Sequence, residues 1–102
     1  MKIIWTKSAV SSLENIKNYI ALESEYYAID LIEKIISAVE KLSNFPRLGR
    51  QVAEAKSEDV REIIYGSYRI IYKSDKDTVY ILAIIHGARN INNLNPRPWE
   101  IV

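Results

Sequence analysis

The sequence predicts an α+β fold: an N-terminal strand and an antiparallel helix hairpin packed on a twisted, mainly antiparallel β-sheet. Three observations predict it. Apolar residues recur at helical spacing from Ala9 to Leu42, with one short break. From Val60 onward, Ile, Val and Tyr dominate three runs separated by "GS" and "SDKD". The length of 102 residues, 48% of them hydrophobic, suits one domain with one real core.

In chain order, "KIIW" (Lys2–Trp5) reads as a short strand and Thr6 as the N-cap of the helix that follows. Ala9, Leu13, Ile16 and Ile20 mark that helix, from Ser8 to about Leu22. "ESE" breaks it, and Ser24 caps a second helix, from about Tyr26 to Ser43, carrying Ala28, Leu31, Ile35, Val39 and Leu42. So short a break makes the two helices an antiparallel hairpin. "NFPRLGR" ends the second helix, because Pro46 cannot continue it and Gly49 permits a turn. Gln51–Glu54 reads as an edge strand, and Val60–Tyr65, Ser67–Lys73 and Thr78–His86 as a meander. Residues 1–90 form the domain and 91–102 a tail, in which Pro96 and Pro98 favour extended backbone.

Alternation sorts the faces of the sheet. With Tyr65 opposite Tyr68 and Lys73 opposite Thr78, one face carries Ile63, Tyr65, Tyr68, Ile70, Tyr72, Ala83 and Ile85 and meets the helices. The other carries Glu62, Arg69, Ile71, Tyr80, Leu82 and His86. Nothing helical remains to cover that second face, so it is a candidate binding surface. On this register Arg69 lies opposite Leu82, and His86 lies roughly 13 Å further along the same face.

The chemistry this composition allows is narrow. One histidine and no cysteine leave only scattered carboxylates for a metal, so no metal or other cofactor is expected. There is no G-x-S-x-G elbow and no phosphate-cradling Gly loop. A net charge of +1 argues against a broad nucleic-acid surface. Every arginine lies after residue 46, where residues 47–102 carry +2 against −1 before them. The candidates for function are Arg61, Arg69, His86, Arg89, Arg97 and Trp99. Arg69 and His86 on one face can bind a phosphodiester and exchange a proton near neutral pH. The structural alternative is equally concrete. Arg69 pairs with Glu62 across the hairpin, His86 ends a strand, Arg89 is a solvated turn residue, and Trp99 anchors the tail. "MKIIWTK" is no signal peptide, and no apolar run reaches the ~20 residues of a membrane span.

The order of "WTKSAVSSLENIKNYI", "NFPRLGRQV", "VREIIYGSYRIIY" and "VYILAIIHGARN" resembles the RelE/ParE toxins of type II toxin–antitoxin systems. The resemblance runs from Lys2 to Asn90. It implies a cytoplasmic toxin, neutralised by a cognate antitoxin in a hetero-oligomer and without a membrane partner. It further implies one of two targets. ParE-like members poison DNA gyrase. RelE-like members cleave messenger RNA on the ribosome, and Arg69, His86 and Arg89 would then be the catalytic set. Arg69 in "YRIIY" resembles the RelE arginine, and Arg89 a second one. The lysines of the preceding strand and the tail tyrosine of RelE are missing, and "HGAR" resembles the ParE branch. DNA gyrase is therefore the expected target, with the ribosome and mRNA as the alternative. A weakly toxic binding module of the same fold is a third outcome.

Overall fold

The structure, a computed structural model, describes residues 1–101. Strand β1 (Lys2–Trp5) is followed by helices α1 (Lys7–Ala21) and α2 (Glu25–Glu40), whose last turn tightens into a 3-10 turn at Lys41–Ser43. Then come β2 (Arg50–Gln51), β3 (Val60–Tyr65), β4 (Tyr68–Asp75) and β5 (Thr78–His86). Three more 3-10 turns lie at Ala53–Ala55, Ile91–Asn93 and Pro98–Glu100. The sheet order is β1-β5-β4-β3-β2. Only the β1–β5 pair is parallel, because the helix hairpin carries the chain back across the sheet between them.

The predicted caps hold. The Thr6 hydroxyl accepts from Ala9 N–H at 3.1 Å and donates to the Ile81 carbonyl at 2.7 Å, so it starts α1 and ties it to β5. Ser24 Oγ accepts from Tyr27 N–H at 3.2 Å and starts α2. Ile35, Val39 and Leu42 are fully buried, with Leu13, Ile16 and Leu31 packed beside them against Ile70, Tyr72, Val79, Ile81 and Ile84. The expected edge strand at Gln51–Glu54 is shorter and earlier, since the chain turns into a 3-10 turn at Ala53.

The assumed register between β4 and β5 is corrected. Tyr65 pairs with Tyr68 as expected, but Thr78 pairs with Asp75, not Lys73. The hairpin closes through Lys76 and Asp77 alone, with Lys76 in the left-handed region at φ 54°. A bulge follows: Ile71 pairs with Ala83 but Tyr72 with Ile81, which leaves Leu82 as the extra residue. One added residue reverses the alternation beyond it. Ile84 therefore faces the helices, while Leu82, Ala83 and Ile85 all face the other side.

That other side is not open. Val52, Val60, Ile71, Leu82, Ala83, Ile85 and Ile91 form a second buried cluster, with Leu94 and Trp99 of the tail packed on it. The covering element is a chain of short 3-10 turns, with Ile91 and Pro98 as its buried anchors.

Candidate functional site

Glu62 and Arg69 lie on the tail-side face near the β3–β4 hairpin. They are diagonal neighbours, since Glu62 pairs with Ile71 and Arg69 with Ile64. Arg69 Nε donates to Glu62 Oε1 at 2.7 Å and Nη2 to Glu62 Oε2 at 2.9 Å, a two-pronged fork. The other edge of the guanidinium meets Glu54, from Nη1 at 3.3 Å and Nη2 at 3.2 Å. Arg50 Nε approaches Glu62 Oε2 at 3.8 Å. The Glu62 side chain is 3% exposed and that of Arg69 12%. Its hydrogen bonds to Glu62, and then those to Glu54, raise the Arg69 pKa, so the charge is permanent. The hydrogen bonds from Arg69 hold the Glu54 carboxyl below the usual range.

His86 is at the end of β5, opposite Tyr68, and its ring meets the Tyr68 ring edge-on at 5.7 Å. The bulge puts it on the helix side of the sheet. Arg69 and His86 therefore lie on opposite faces, which corrects the shared face that plain alternation predicts. They meet only across the strand ends, where both line a cleft of about 310 Å³ with Arg50, Ser67 and Gly87. His86 Nδ1 accepts from Ala88 N–H at 3.2 Å, and its carbonyl accepts from Arg89 N–H at 3.0 Å. The imidazole thus shapes the turn that leaves the sheet.

The remaining candidates are dispersed. Arg89 is exposed and lines a separate pocket of about 250 Å³ with Ser8, Ser12, Leu94 and Asn95. Arg61 lies on the helix side opposite Tyr72 and donates from Nη1 to the Gly49 carbonyl at 2.9 Å. Arg97 is exposed, while Trp99 packs on the second cluster. Sequence reasoning missed Arg50 and Glu54, whose only signal is charge within a few residues of a strand edge. It also missed the role of Tyr72, whose hydroxyl donates to the Pro46 carbonyl at 2.8 Å and accepts from Gly49 N–H at 2.9 Å. Among the described residues no cluster of His, Cys, Asp or Glu could hold a metal.

Chemically, the site around Arg69 is a neutralised pair network, not an anion cradle. Four hydrogen bonds to two carboxylates use most of the donors of the guanidinium. The two carboxylates also repel a phosphodiester at that point.

Comparison with known proteins agrees with this architecture. The family model described as the ParE toxin of the type II toxin–antitoxin system parDE matches residues 3–91. Among solved structures, the chain is similar to one from the chromosomal ParDE toxin–antitoxin system of P. aeruginosa. The TM-score is 0.69 at 20% identity, covering 84% of this chain and 95% of that one. It is also similar to one from the RelBE2 toxin–antitoxin complex of Mycobacterium tuberculosis. There the TM-score is 0.59 at 22% identity, covering 86% and 92%. At these identities the structural likeness speaks for the fold. No curated protein matches the sequence.

Proposed function

We propose, from the premise that this chain belongs to the ParE toxin family of type II toxin–antitoxin systems, that it stops growth by binding DNA gyrase and not by cutting RNA. The observation that carries this reading is the Arg69 network. A nuclease of this fold needs free cations on the sheet to stabilise charge that develops in the transition state. Here the sheet arginine is committed to Glu62 and Glu54. His86, the one imidazole, serves the turn and sits on the opposite face from Arg69. Arg89 lines a different pocket. Arg69 and His86 border one cleft, but Arg69 is already neutralised there and Arg89 is outside it, so the three do not form one cationic centre.

The antitoxin has a matching surface in the helix hairpin. Tyr19, Leu22, Tyr26, Tyr27 and Ile29 are at least half exposed there. Patches of that kind mark sites for a partner segment that folds on binding. Residues 14–33 carry five acids and one lysine, so the segment should present cations around its apolar face.

Induced expression with parallel readouts of translation and DNA breaks tests the target. Double-strand breaks that precede any fall in translation support gyrase. Messages cut at the ribosomal A site, in a manner abolished by His86→Ala, would establish the nuclease instead.

A further inference from the structure

The segment between α2 and β2 is held from beneath and bare above. Tyr72, fully buried under it, bonds Pro46 and Gly49 through one hydroxyl. Burial pushes the Tyr72 pKa up, so this hydroxyl keeps its proton and goes on donating. Arg61 adds a bond to the Gly49 carbonyl, and Leu48 N–H donates to the Phe45 carbonyl at 3.0 Å. A Cβ at Gly49 would collide with the Glu62 carbonyl and the Tyr72 ring, so only glycine lets the loop come this close. Yet Phe45 is 62% exposed and Leu48 55% exposed.

A single apolar residue on a surface needs no explanation. Here two of them stand one turn apart on backbone that buried hydrogen bonds have already ordered. Holding a loop rigid lowers the entropy lost when it binds. Within the segment itself the charge has one sign: residues 41–50 contain Lys41, Arg47 and Arg50 and no acid, and only Arg50 approaches a carboxylate, that of Glu62 at 3.8 Å. The Met1 nitrogen donates to the Ser43 carbonyl at 2.7 Å and ties β1 to this segment. Arg47 has no ion-pair partner among the described residues.

We infer that the loop Phe45–Gly49 is the point at which this chain docks on its toxicity target, a folded protein with an apolar pocket rimmed by carboxylates. Phe45 and Leu48 enter the pocket, and Arg47 and Arg50 meet the rim. Side chains that protrude require a pocket already formed, which a flexible segment does not offer. Leu48 neither stacks on a base nor bonds a phosphate, so the pair suits protein better than nucleic acid. The antitoxin surface on the hairpin is acidic, and one partner surface does not suit both charges. The inference rests on the toxin reading and names the surface that reading requires.

The test uses the full chain with Phe45→Ser/Leu48→Ser and with Arg47→Glu, expressed from an inducible promoter in parallel with wild type. Both variants should weaken growth arrest at least about tenfold in surviving colonies. Their thermal midpoints should stay within about 2 °C of wild type, since all three side chains are exposed. Variants as toxic as wild type overturn the inference. So does a split in which only Arg47→Glu loses toxicity together with binding to a single-stranded RNA 20-mer or a DNA duplex, which would mark a nucleic-acid contact. A wild type that leaves growth unaffected overturns the toxin reading itself, and the assignment of this loop with it.

Discussion

On its helix side the sheet meets Ala9 of α1 and Ile35 and Val39 of α2, with Leu42 of the closing 3-10 turn, from two helices whose backbone bonds are satisfied internally. On the tail side the cover is a run of short 3-10 turns, and a carboxylate is sealed in with its arginine. The two faces lie on the same strands, yet they are stabilised in different ways. A helix hairpin brings a continuous apolar stripe and needs only matching shape. An irregular cover makes few bonds of its own, so it rests on point anchors such as Ile91 and Pro98. The gap it leaves near the β3–β4 end is filled by Glu62, Arg69 and Glu54. Such a pair adds geometric specificity, while its contribution to stability depends on both partners being present.

Three measurements test this contrast. The largest effect is expected on the tail side. Glu62→Ala leaves Arg69 buried with only Glu54 as a partner and should cost about 3–5 kcal/mol. The double variant Glu62→Leu/Arg69→Met should recover most of that in denaturant titration. If the double variant is no better than the single, the charge pair is stabilising in its own right and the contrast is wrong. On the helix side, Ile35→Ala removes a fully buried side chain and should cost about 2–5 kcal/mol through lost burial and a cavity. An unchanged unfolding midpoint would mean the hairpin is not the main cover of the core.

The smallest effect is a pH dependence. The folded pKa of Glu54 lies below its ordinary value of 4.5 because Arg69 bonds its charged form. The stability this adds is complete above that value and is lost as pH falls through the folded pKa. Wild type should therefore lose stability more steeply below pH 4.5 than Glu54→Gln. Equal slopes would show that Glu54 contributes nothing to the tail-side network.

Much of this was legible. Ile35, Val39 and Leu42 repeat at helical spacing, and Thr6 and Ser24 stand where caps are needed, so both helices follow from local rules. The Glu62–Arg69 pair was legible as one of two readings, because the tight turn at Gly66 fixes their register. The face of His86 was not. Its assignment runs through the β4–β5 turn and through Leu82, where one unmatched residue reverses every side chain after it. Nothing in "ILAII" (Ile81–Ile85) marks which residue bulges, since all five are apolar and suit either face.

By itself the sequence determined the α+β class, the helix hairpin, the meander and the toxin family, because periodicity, caps and motif order act over a few residues at a time. Packing and register alone decide that the second face is covered, that Arg69 is engaged by two carboxylates and that His86 faces the opposite side of the sheet. They also decide that the loop after α2 presents Phe45 and Leu48 on a rigid base. Each of these depends on contacts between segments far apart in the chain: the tail on β5, Glu54 on Arg69, and Tyr72 beneath Gly49. Such contacts are set by packing and register, which no local pattern of residues records.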